Sequence, residues 1–102
     1  MSEVKSAIDL AAEPSDHKPA KGMIHVKIYT PLKEYYHADA KSVTALNESG
    51  QFDILPGHHN FITMLLPFDV EVEDADKEKH VIPIQRGLMH VRDDKVTIFL
   101  DV

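Results

Sequence analysis

From Met23 onward the chain alternates apolar and polar positions at a period of two. Ile24, Val26 and Ile28 fall on one side and His25, Lys27 and Tyr29 on the other, which predicts a half-buried strand. Thr30-Pro31-Leu32-Lys33 reads as a turn. Strand-like material then runs from Tyr35 to Leu46, with an expected break near Ala38-Asp39, and Asn47-Glu48-Ser49-Gly50 turns the chain. Phe52, Ile54 and Leu55 make a short apolar strand stopped by Pro56-Gly57, and Phe61 to Leu66 makes another stopped by Pro67. Phe68-Asp69-Val70-Glu71-Val72-Glu73 alternates with one apolar and one carboxylate face, and a charged loop over Asp74 to Lys79 leads to Val81-Ile82-Pro83-Ile84. Pro83 cannot donate to a ladder, so this strand belongs on an edge or at a bulge. The last third alternates through Met89 and Val91, turns at Asp93-Asp94, and resumes through Val96, Ile98 and Leu100. Many short strands with turn residues between them predict an all-β antiparallel sandwich or barrel. Phe52, Ile54, Leu55, Val26, Ile28, Val43, Val96, Ile98 and Leu100 are its expected core.

Residues 1–22 differ: Ala, Ser, Lys and acids dominate, ending in the Pro-containing stretch Glu13 to Pro19. They read as a flexible N-terminal extension, and residues 23–102 as one domain. No apolar run is long enough for a signal peptide or a membrane span, so a soluble protein without direct membrane insertion is expected.

Charge and composition narrow the chemistry. With 11 Lys+Arg against 17 Asp+Glu, the net charge of −6 argues against a nucleic-acid partner. The absence of Cys excludes disulfides, thiolate zinc sites and a cysteine nucleophile. The seven histidines are scattered, and the adjacent His58 and His59 would point to opposite faces of a strand, so no metal site is expected. The acids from Asp69 to Glu78 lack the glycine turn and ligand order of a calcium loop and read as a solvated face protecting an edge. Neither Gly-x-Ser-x-Gly nor a phosphate loop occurs, so no catalytic or cofactor-binding residue is assigned and a binding role is favoured.

The segment Gly50-Gln51-Phe52-Asp53-Ile54-Leu55-Pro56-Gly57-His58 resembles the signature of the ε subunit of F-type ATP synthases, called δ in mitochondria. Ile24 to Pro31, Ala38 to Val43, Phe61 to Leu65, Ile84 to Val91 and Asp94 to Asp101 extend the resemblance, in order, over about Met23 to Val102. Departures are Asp53 and Arg86 in place of glycines, and His59-Asn60 where Ala-Pro is usual. The resemblance implies a two-sheet β-sandwich of about ten short strands without the C-terminal helical hairpin through which relatives inhibit hydrolysis or bind ATP. It further implies a non-catalytic rotor subunit of the central stalk of a proton-translocating synthase. Such a subunit, a monomer when isolated, would sit peripherally on the cytoplasmic face of the energy-coupling membrane, binding γ and contacting the c-ring. Carried over by position, the γ contacts would be Thr30, His58, Thr63, Gln85 and Arg86, and the ring contacts Glu48, Ser49, Gly50 and Gln51. Acids would be expected at Ser49 and Gln51, and only Glu48 is acidic. A free-standing interaction module derived from the same domain is the alternative.

Overall fold

The computed structural model describes residues 18–101, and the N-terminal extension read from the sequence lies, up to residue 17, outside them. Eight strands follow one another: β1 (Ile24–Tyr29), β2 (Glu34–Asn47), β3 (Gly50–Ile54), β4 (Phe61–Leu65), β5 (Phe68–Asp74), β6 (Lys79–Ile84), β7 (Arg86–Arg92) and β8 (Lys95–Asp101). The described residues are all β, as the alternation predicts. Hydrogen bonding runs β4-β7-β8-β1-β2-β5-β6, with β3 also on β2. Every pairing is antiparallel except β1 with β8, which run parallel in the middle of this order. β6 lies at an edge and carries Pro83, whose missing N–H costs no ladder bond there.

The described residues form eight strands rather than about ten, and the break expected at Ala38-Asp39 is absent: β2 runs unbroken for 14 residues. Its first half pairs with β1, its second half with β5 and β3. Against β5 its register slips between Ala40 and Ser42, leaving Lys41 as the extra residue of a β-bulge. The bulge lets Ala40 and Val43, three apart, both point inward and be fully buried. A strict period of two forbids that, so the alternation looked interrupted where the strand bends from one layer of the fold to the other. The sheet closes back on itself: the Leu66 amide donates to the Leu46 carbonyl at 2.9 Å, and the Phe52 and Phe61 rings meet edge to face at 6.1 Å.

One core fills the space between the layers, built from Ile24, Val26, Ile28, Val43, Ile54, Leu65, Val70, Val72, Met89, Val91, Val96 and Ile98 among others. At about 25 cal/mol per Å² of apolar surface, this burial is the main favourable term in folding. Of the expected core, Leu55 is a correction. It is 53% exposed, because Ile54 takes the inward position and adjacent residues of an extended chain point opposite ways. Turns are sharp and backbone-driven. Asp93 and Asp94 have φ of 50° and 64°, the doubly left-handed geometry that twisted two-residue hairpins need. Asp53 and Arg86 are not among the positive-φ residues, so the glycines they replace were not required for backbone geometry here.

Candidate functional site

The five positions expected to face γ do not form one cluster. Thr30 is 6% exposed, and its hydroxyl accepts the Leu32 and Lys33 amides at 3.2 and 3.0 Å, clasping the β1–β2 turn. Gln85 and Arg86, both exposed, lie at the β6–β7 corner, at the end of the sheet where β8 and β1 finish. His58 lies at the opposite end, in the loop before β4. That loop is tied to the β7–β8 turn by the Gly57 amide on Asp94 Oδ1 (2.8 Å) and by the Asp93 amide on Asn60 Oδ1 (2.9 Å). Thr63 lies between the two groups but alternates with Ile62 and Met64, so it shares the inward side of β4 with Phe61 and Leu65. Its hydroxyl accepts from Asn47 Nδ2 at 3.1 Å. Asn47 is the residue preceding the expected ring-contact turn; its own Oδ1 accepts the Ser49 amide at 2.9 Å, and Gly50 closes the turn at φ 118°. Glu48 and Ser49 are exposed at its tip, with Gln51 exposed just beyond.

Between the two groups of candidates lies a feature that sequence reading missed. On the outer side of β4 and β7, Ile62 and Met64 are 63% and 59% exposed, and Leu88 is 40% exposed. The registers align Met64 with Leu88, Leu88 with Phe99 and Phe99 with Tyr29. Directly opposed residues of paired strands share a face, so an apolar row crosses four strands. Tyr29 and Phe99 lock its inner end with an edge-to-face contact at 5.3 Å, and Lys27 Nζ lies 4.5 Å from the Tyr29 ring centre. Burial pushes the Tyr29 hydroxyl above its ordinary pKa, keeping it neutral. Ile62, Met64 and Leu88, the exposed part of this face on β4 and β7, form an apolar patch that marks a surface made to be covered. Each strand shows apolar residues on both faces, but only the strand order brings them into line.

His58 is half-buried. Its ring stacks on His59 (4.3 Å, 26°) and tilts against Phe61 (5.0 Å), while Nδ1 lies 2.8 Å from the His59 carbonyl. Its backbone amide donates to Leu55 at 3.1 Å. The loop therefore presents a fixed imidazole beside the start of β4.

The acid-rich hairpin is more ordered than a merely solvated face requires. Asp74 Oδ1 accepts the Asp76 and Glu78 amides at 2.8 and 2.9 Å, and Oδ2 lies 2.8 Å from His80 Nε2. The His80 hydrogen bond first, and the Glu78 amide second, hold the Asp74 carboxyl below the ordinary carboxylate range. Asp74, Glu78 and His80 bring one ligand atom each within 4.8 Å of one another, a grouping formed by the hairpin and not visible as a motif. Burial, then the charges of Asp74 and Asp39, raise the Tyr36 hydroxyl, whose ring meets His80 at 5.3 Å. Among the described residues no buried side-chain nitrogen or oxygen lacks a partner, so none is left poised toward a ligand.

The class defined by this fold is a small β-sandwich whose outer face carries an exposed apolar patch at Ile62, Met64 and Leu88, with polar groups at both ends of the strands that bear it. The sequence profile described as ATP synthase, Delta/Epsilon chain, beta-sandwich domain matches residues 23–102, and the chain belongs to that family. It is similar to the ATP synthase epsilon chain of Campylobacter concisus (31% identical over 78 residues, 76% of this chain and 60% of the relative). The epsilon chain of Campylobacter jejuni serotype O:2 is 33% identical over 76 residues, 74% of this chain and 59% of the relative. The chain thus spans about 60% of the length of these relatives. The fold is shared with a chain of the mitochondrial ATP synthase of Euglena gracilis, solved as OSCP/F1/c-ring in rotational state 1, with a TM-score of 0.75 at 21% identity, covering 92% of this chain and 62% of that one. A chain of the Tetrahymena thermophila mitochondrial ATP synthase, solved as central stalk/c-ring, superposes at 0.65 and 19% identity, covering 84% and 67%. No helix among the described residues is long and apolar enough to cross a membrane.

Proposed function

We propose that this domain is the non-catalytic coupling element of an F-type ATP synthase rotor, gripped by the γ subunit and resting on the c-ring. The observation that carries this reading is the row Met64–Leu88–Phe99–Tyr29 across the strands, with Gln85 and Arg86 at one end of those strands and the His58 loop at the other. A shaft lying along this face covers the apolar row and meets polar groups at both ends, the arrangement of an interface with an apolar centre and a polar rim. Thr30 and Thr63 act here as positioning residues: one clasps the turn beside the Gln85–Arg86 end, and the other braces the turn at Glu48–Gln51. That turn is the ring contact, with Glu48 supplying its charge and Ser49, Gly50 and Gln51 its polar surface. Such a subunit is peripheral on the cytoplasmic face of the coupling membrane, has no bond-making role, and is a monomer outside the complex. A part that passes torque from ring to shaft must not deform, and a close-packed sandwich meets that demand.

The test is titration of the full chain with the γ subunit from the same organism. Submicromolar, one-to-one binding is expected. Absence of binding at tens of micromolar, with the fold intact by circular dichroism, overturns the assignment in favour of a free-standing interaction module.

A further inference from the structure

We propose that His58 engages γ as a hydrogen-bond acceptor, through a bare Nε2, so that the group opposite it on γ carries an N–H or O–H; this rests on the γ-binding reading above. A neutral imidazole has one protonated and one bare nitrogen, and which is which follows from the partners. The group 2.8 Å from His58 Nδ1 is the His59 carbonyl oxygen, which can only accept. Nδ1 therefore holds the proton and donates it. Nε2 keeps its lone pair and has no hydrogen-bond partner among the described residues. This is the reverse of the arrangement an imidazole prefers free in water, and the loop imposes it. Turning the ring over by 180° would keep its plane but set a C–H against the His59 carbonyl in place of Nδ1, so the 2.8 Å hydrogen bond is what selects this orientation. The backbone beneath is fixed at the His58 amide on Leu55 and the Gly57 amide on Asp94 Oδ1. The loop thus presents a preset acceptor at the start of β4. A docking group that is itself only an acceptor, such as a carboxylate, is rejected, because two lone pairs would be buried facing each other.

Two measurements test this separately. Long-range proton–nitrogen correlation spectra of the isolated chain at pH 8 read the proton position directly, with no γ present. His58 is expected to show a protonated Nδ1 and a bare Nε2; the opposite pattern, or an even mixture, overturns the proposal. Titration with γ then compares four chains matched in melting temperature. His58→Gln can offer a carbonyl oxygen near the position of Nε2 and is expected to bind within about threefold of the unsubstituted chain. His58→Ala loses the bond and is expected to bind about two- to tenfold more weakly. His58→Lys offers only donors and is expected to lose about tenfold or more. If His58→Lys binds as well as His58→Gln, γ does not read an acceptor and the docking half of the proposal is overturned. If the unsubstituted chain does not bind γ, that half falls together with the proposed function, while the nitrogen spectra still decide the proton position.

Discussion

Asp74 shows what a single carboxylate does for a tight hairpin. Three donors converge on it, two of them backbone amides of its own loop, and Lys77 closes the turn at φ 69°. The sign of its pH effect follows from the depressed carboxyl. A group whose folded pKa lies below its unfolded one stabilises the fold at pH values above the unfolded pKa, and that contribution disappears as pH falls through the folded pKa. Asp74→Asn is therefore expected to melt lower than the unsubstituted chain near pH 7, the two curves converging as the pH is taken below about 4. Calorimetry across this range checks it. Gly87 is the other residue on which local structure turns. A Cβ there would lie 3.2 Å from Leu100 Cδ2 and 3.2 Å from the Phe99 carbonyl, and the backbone oxygen cannot move aside without disturbing β8. Gly87→Ala is expected to cost about 1–3 kcal/mol of stability by chemical denaturation, as overpacking does.

At the scale of elements, β2 carries the architecture. Its bulge at Lys41 is what allows one strand to serve both layers. Deleting Lys41 would leave Ala40 and the old Val43 position two apart and still on one face, but would remove the bulge at which β2 passes from its pairing with β1 to its pairing with β5. The deletion variant is expected to lose cooperative thermal unfolding, whereas Lys41→Ala is expected to melt within about two degrees of the unsubstituted chain. The same strand marks the limit of what the sequence discloses. β1, β5, β7 and β8 were legible because each keeps strict alternation, and Pro83 announced an edge for a reason of bonding alone. The bulge was not legible, since an inserted residue shifts the phase and looks like a break. Nor was the outer row, since Met64, Leu88, Phe99 and Tyr29 come from strands whose neighbours are set by the parallel pairing of β1 with β8. The signature before β4 located His58, but not the proton on its ring, which depends on a carbonyl one residue away. Thr63 fell on the inward side because a motif gives positions along a strand, whereas packing decides the face.

For the whole molecule, the exposed part of the outer row, Met64 and Leu88, is expected to matter less to folding than to the proposed assembly with γ. Met64→Lys with Leu88→Lys adds charge at positions already in contact with water, so the melting temperature is expected to stay within about three degrees. Binding to γ is expected to weaken at least tenfold, since each apolar side chain fully buried at an interface contributes roughly 1.5–3 kcal/mol. Normal affinity in the double variant would place the shaft elsewhere on the molecule. The position of β8 has a consequence for biosynthesis. It is the last of the described strands, yet it lies between β7 and β1. While the chain is still being made on the ribosome, β1 has an open flank and the β4–β7 pair has nothing to attach to, so the globule cannot close by stages. Completion waits for β8 to clear the exit tunnel, and until then the apolar faces of the strands already made stay uncovered.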